Sequence, residues 1–216
     1  MLSKAFILVS PNLPIGSFSY SQALETCVEE KLITCSEDFE KWLAANLKHS
    51  LQTCDLPLLK RLYEAKAKDT FKSLVDEVIA LRTTKELRSE EINKGKAFAR
   101  LLSSLEQEID KEYLEIAKKS YLAVFSLFGK LKGLSLETIL QSYCYAYIEA
   151  QTIAAIKLVP LGQTVAWQII DKYTSKIDST VQESLKVEDD YIGSGLFNLS
   201  LLSVKHENLY SRLFRS

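Results

Sequence analysis

Histidine is scarce in this chain: His49 and His206 are the only two among 216 residues. A catalytic metal needs about three protein ligands, and imidazole is the commonest of them near neutral pH. His206-Glu207 opens like a zinc-protease helix, but Tyr210 stands where the second histidine belongs. The shortage argues against a resident metal or other cofactor and reads His206 as a surface or interface residue. Glycine numbers only seven. A phosphate cradle needs clustered glycines so that backbone amides can approach an anion. Gly95-Lys96 and Gly129-Lys130 come nearest, and neither has a glycine five positions earlier. No Gly-x-Ser-x-Gly elbow is present to expose a nucleophile. Excess charge of one sign is missing too: 27 basic against 28 acidic residues leave −1, no field for nucleic acid or anionic lipid. Cys27, Cys35, Cys54 and Cys144 lack CxxC spacing and fall within helical patterns, so they read as reduced thiols rather than a disulfide framework. The apolar run near the N-terminus stops at Pro11 and Pro14 without a cleavage site, so no signal peptide is expected. These absences point to a cytoplasmic protein with no membrane span.

Apolar residues make up 47% of the chain, and a fold of this length hides roughly 70% of its unfolded surface. The organising stretch is 135–159. Leu136, Ile139, Leu140, Tyr143, Cys144, Tyr147, Ile148, Gln151, Thr152, Ala155, Ile156 and Val159 recur at helical steps. Tyr145, Ala146, Ala150, Ile153 and Ala154 make the opposite side nearly as apolar, which predicts a helix buried all round. Ser135 is placed to cap it and Pro160 to end it. Glu149, Gln151 and Lys157 interrupt it, and spanning a bilayer takes about 20 apolar residues.

The other helices must wrap this one. Pro11, Pro14 and Gly16 predict irregular structure over 5–18, followed by a helix to Lys31. Thr34 and Glu37 have capping-box spacing before a helix carrying Phe39, Leu43, Leu47 and Leu51. Asp55 is expected to cap a further helix with Pro57 in its first turn, and Asp69 to start another. Thr83 and Glu86 suggest a bend or restart within 69–105. Apolar helices follow over 121–131 and about 164–174, with a modest one over 178–187; residues 103–120 show no clear boundaries. Gly193-Ser194-Gly195 loosens the chain before an apolar and basic tail. No stretch alternates as a strand does. The expectation is all-α: a single-domain bundle over 1–216, of roughly nine or ten helices around 135–159, with 193–216 a partner-binding tail.

Two features could carry function. Glu149 on an apolar helix must pair, hydrogen-bond or shift its pKa, so it is either a satisfied carboxylate or the polar group of a cavity. The latter reading makes the chain an all-α enzyme or small-molecule-binding protein. The tail, rich in aromatics and arginine after two glycines, has the composition of interface anchors. It either orders on a partner or docks on its own bundle.

Five blocks spread along the chain then resemble the urease accessory protein F (UreF) family. They are Pro14-Ile-Gly16-Ser-Phe18-Ser-Tyr-Ser21-Gln-Ala-Leu-Glu25, Asp55-Leu-Pro57, Arg82-Thr-Thr84-Lys-Glu86-Leu87-Arg88 and Pro160-Leu161-Gly162-Gln163, then His206-Glu207 with Tyr210-Ser-Arg212-Leu213-Phe214-Arg215-Ser216. Ala23 stands where that family usually has glycine. The resemblance implies a non-enzymatic chaperone of urease maturation. It would form a homodimer, join UreD/UreH and recruit the GTPase UreG, so that nickel passing through the assembly reaches apo-urease. By the same resemblance, His206, Glu207, Tyr210, Arg212, Leu213, Phe214 and Arg215 are candidates for the UreD/UreH side. Glu25, Lys157 and Gln163 are weaker candidates for the GTPase or channel side.

Overall fold

Ser135 starts the helix on which the rest is assembled, its hydroxyl accepting from the Thr138 N–H at 3.2 Å. In a computed structural model describing residues 2–106, 109–193 and 196–216, that helix runs Leu136–Leu158 and stops before Pro160. In chain order the helices are α1 (Leu2–Leu8), α2 (Leu24–Glu29), α3 (Ser36–Asn46), α4 (Leu56–Glu64), α5 (Lys68–Leu81) and α6 (Lys85–Leu105). There follow α7 (Lys111–Ala117), α8 (Tyr121–Leu131), α9 (Leu136–Leu158), α10 (Gln163–Thr174), α11 (Ile177–Ser184) and α12 (Phe197–His206). Among the described residues there is no strand. α1, α2, α3, α4, α8, α10 and α11 all pack against α9, so the all-α bundle around a central helix is what the chain forms.

Several local expectations give way to tertiary contacts. The segment 5–18 begins inside a helix, α1, because Pro11 and Pro14 act only after Leu8. No continuous helix follows to Lys31. A 3-10 turn at Ser17–Ser19 precedes α2, and Gln22 (φ 52°) and Ala23 (φ 67°) lie between them in the left-handed region. Glycine adopts that conformation freely, whereas an L residue there costs about 1–2 kcal/mol. The chain tolerates alanine at 23, fully packed at 1% exposure. Thr34 does not cap with Glu37; its N–H and hydroxyl both bond Asp38. Asp55 caps nothing, because the π-helical stretch Leu47–Asp55 runs on from α3 into α4 without a break. The restart near residue 83 is real, with Thr84 capping Leu87 N–H at 3.2 Å. Nor is α9 buried all round: Tyr145, Ala146, Glu149, Ala150 and Ile153 are half-buried. Cys27, Cys54 and Cys144 are buried free thiols, and Cys35 is half-buried. Of the expected hinge 193–195, Ser194 and Gly195 lie outside the described residues, while the Gly193 N–H is held by the Thr53 carbonyl at 3.0 Å.

Asp55 has a different task. Arg82, at the α5–α6 junction, donates to Asp55 Oδ1 at 2.6 Å and to Glu91 Oε2 at 3.0 Å. Tyr143 of α9 donates to the other Asp55 oxygen at 2.8 Å, while Ser120 Oγ and the Leu122 N–H satisfy Glu91 Oε1 at 2.6 and 2.9 Å. Burial alone would raise the Glu91 carboxyl, but the Arg82 guanidinium and these donors outweigh it and hold it below its usual range. One guanidinium thus ties the α3–α4 rod, α6 and α9 together. Close packing does the same for α8. A Cβ on Gly95 of α6 would sit 2.7 Å from the Ser120 backbone carbon, so the chain entering α8 lies directly on that glycine.

Gly95→Ala therefore loses about 1–3 kcal/mol from overpacking against backbone, which outweighs the roughly 1 kcal/mol of helix propensity that alanine adds. Urea unfolding reads the balance, and a more stable variant would contradict the close approach. Arg82→Met leaves Asp55 and Glu91 buried without their cation, and the same assay is expected to show a loss of about 3–5 kcal/mol.

Candidate functional site

The C-terminal tail is docked on its own bundle. α12 packs along α2 and α6, with Thr83 facing Ser200 at 2.7 Å and Thr84 facing Ser203 at 2.8 Å through their hydroxyls. At its last residue, His206, the ring is fully buried between two carboxylates. Nε2 lies 2.9 Å from Glu25 Oε2 of α2, and Nδ1 lies 2.9 Å from Glu86 Oε2 of α6. An imidazolium can donate to both, since each ring nitrogen then carries a proton. The expectation of a surface or interface position for His206 gives way to burial within its own chain: two inward-facing glutamates draw the ring under it.

Beyond His206 the backbone turns back over the same carboxylates. Glu25 accepts the Leu213 N–H at 2.6 Å and the Phe214 N–H at 3.0 Å, in addition to the imidazole. Arg212 Nη1 donates to Glu86 Oε1 at 2.8 Å. Burial pushes the Glu86 carboxyl up from its ordinary range, against the opposing pull of His206 and Arg212. The Arg215 N–H then bonds the Ser19 carbonyl at 2.7 Å, and the Ser216 carbonyl receives both the Ser21 N–H and hydroxyl at 2.6 Å. Ser216 Oγ donates to Glu90 Oε2 at 3.0 Å, whose other oxygen holds Gln22 Nε2 at 2.9 Å. The left-handed residues before α2 place Ser21 and Gln22 for these contacts. Phe214, 5% exposed, lies beneath the Lys157 ammonium at 5.6 Å.

The site residues expected from sequence are therefore sorted by the fold. His206 and Phe214 are inside, Glu207 is half-buried, and Tyr210, Arg212, Leu213 and Arg215 face out. Glu25 and Lys157, assigned to a different side, belong to this cluster; Gln163, exposed at the start of α10, does not. Sequence reasoning missed Glu86 as an anchor, along with Glu90, Ser21 and Gln22. A signal existed: Glu86 and Glu90 stand one helical turn apart, which puts both on one face. Within the tail expected to bind a partner, the outward face of α12 carries Phe197 (73% exposed), Leu201 (50%) and Val204 (51%) as a stripe at helical spacing.

The cluster suits anchoring. Each carboxylate is occupied by donors of the tail, and no group of three or more His, Cys, Asp or Glu is gathered for a metal among the described residues. No described helix is long and apolar enough to cross a membrane. Glu149 lies elsewhere, half-buried beside Phe6, Tyr145 and Ile177 in an open groove of about 700 Å³. Burial raises its carboxyl above the ordinary range.

The model of the UreF family matches residues 33–173. Curated relatives named urease accessory protein UreF extend the match over the rest. That of Alcanivorax borkumensis is 35% identical over 97% of this chain and 95% of its own length. That of Chromohalobacter salexigens is 37% identical over 97% of this chain and 92% of its own. That of Marinomonas sp., 34% identical, aligns with 100% of this chain, tail included, and 94% of its own length. Sequence likeness over the helical bundle and its docked tail alike means that the chain belongs to the UreF family of urease accessory proteins.

Proposed function

We propose that the chain is a non-enzymatic scaffold of urease maturation, which holds UreD/UreH through its docked tail. Family membership supports a role in urease maturation; the docked tail supports the particular surface. The observation that carries it is the outward face of α12 and the tail. Phe197, Leu201, Val204, Tyr210 and Leu213 are all at least half exposed on one short, polar-anchored segment. An exposed apolar stripe fits a protein interface, where aromatic and arginine side chains dominate the binding energy. Tyr210, Leu213, Arg212 and Arg215 make the contacts in this reading, with Glu207 at the edge. His206, Phe214 and Glu25 act from beneath by fixing the presenting backbone.

The rest of the proposal follows the family. A homodimer recruits the GTPase UreG, and the assembly passes nickel to apo-urease in the cytoplasm. Lys157, above Phe214, and Gln163, on the exposed start of α10, are the side chains offered to UreG or to a channel. Nickel is cargo in this account, so the chain itself needs no cofactor. The groove beside Glu149 gives the competing small-molecule reading one supporting fact, the raised carboxyl, but it is open rather than enclosed.

Calorimetric titration of the full chain with UreD/UreH tests the surface. Tyr210→Ala and Leu213→Ala should each weaken binding by about 1–4 kcal/mol with unchanged helicity, as expected of outward anchors. Deletion of 206–216 should abolish capture. Unchanged affinity in both point variants would remove the tail from the interface.

A further inference from the structure

The two signs of charge on α6 are sorted by depth. Its acids, Glu86, Glu90 and Glu91, are all buried, and each is matched within the fold by His206 and Arg212, by Lys94, or by Arg82. Its exposed charges, Lys85, Arg88, Lys96 and Arg100, are all basic. Successive positions on a helix turn by about 100°, which places these four within one third of the circumference, over roughly 22 Å of axis. None forms an ion pair among the described residues; the Arg100 Nε bonds only the Lys96 carbonyl, at 3.3 Å.

Helix stability does not account for this strip. Lys85 and Arg88 crowd the N-terminal end, where the helix dipole favours anions. Lys96 and Arg100 stand four apart with like charge, a mildly unfavourable pair. A solvated face usually mixes signs, and this chain has acids enough to do so, with 28 against 27 basic residues. Exposed Ser89 and half-buried Ile92 lie among the bases, so no aromatic and no exposed large apolar side chain is available for base stacking or for insertion among lipids.

We infer that the outer face of α6 is a second docking surface, distinct from the tail, for an acidic protein segment. The strip steers and orients such a partner through charge, with little apolar burial of its own.

Fluorescence anisotropy of a labelled poly-glutamate peptide, titrated with the full chain, tests the assignment. Binding is expected at low salt, weakening about tenfold or more at physiological ionic strength. The combined substitution Lys85→Gln, Arg88→Gln, Lys96→Gln and Arg100→Gln should weaken it about tenfold or more at fixed salt. A control variant with Lys4, Lys31, Lys66 and Lys111 changed to Gln should bind as the parent does. All eight positions are exposed, and urea unfolding confirms that both variants remain folded. No peptide binding, or equal loss in the control, would overturn the inference. So would binding of poly-uridylate or of phosphatidylglycerol vesicles in place of the peptide.

Discussion

One carboxylate decides where the end of this chain lies. Glu25 accepts three donors from the tail: the imidazole of His206 and the N–H groups of Leu213 and Phe214. Hydrogen bonds to an ionised acceptor are about twice as strong as neutral ones, and three converge where water is largely excluded. Chain ends are otherwise prone to fray. Glu86 repeats the device from the facing helix, with Arg212 as its donor and His206 Nδ1 at 2.9 Å. The arrangement is stiff because the donors and acceptors complete one another. Loss of the Glu25 carboxylate would leave one ring nitrogen of a buried histidine and two backbone amides without partners.

That clamp rests on a second polar network deeper in the bundle. Arg82 fixes the start of α6 against Asp55 and Glu91, and α6 in turn supplies Glu86 and Glu90 to the tail. The same residue thus sets the fold and, through α6, the position of the surface. α6 has acids inside and bases outside, the reverse of what apolar periodicity alone would suggest for a surface helix. Its inward Glu86 and Glu90 hold the tail, and its outward bases remain for another molecule.

The helices were largely legible from sequence because their signals are local. Ser135 and Pro160 mark the two ends of α9, and its apolar period is buried from Ile139 to Ala155, while Leu136 is half-buried and Ile156 exposed. What was not legible is long-range pairing. Asp55 has the look of a cap by its neighbours Leu56 and Pro57, and only Arg82 and Tyr143, far along the chain, explain it. His206 reads from sequence as a surface or interface residue because too few metal ligands accompany it; the partners that bury it are 120 and 181 positions away. The grouping of the site was half readable. The N-terminal block with Glu25 and the C-terminal block with His206 were both singled out, but nothing in the sequence says that one is the seat of the other.

The account stands or falls on whether Glu25 holds the tail in the free protein. Amide hydrogen exchange at Leu213 and Phe214 in the isolated full-length chain measures this directly. The clamp predicts slow exchange at both amides, faster by about tenfold or more in Glu25→Ala while the amides of α9 keep their protection. Exchange at unprotected rates in the parent chain, or no change on removing the carboxylate, would contradict it.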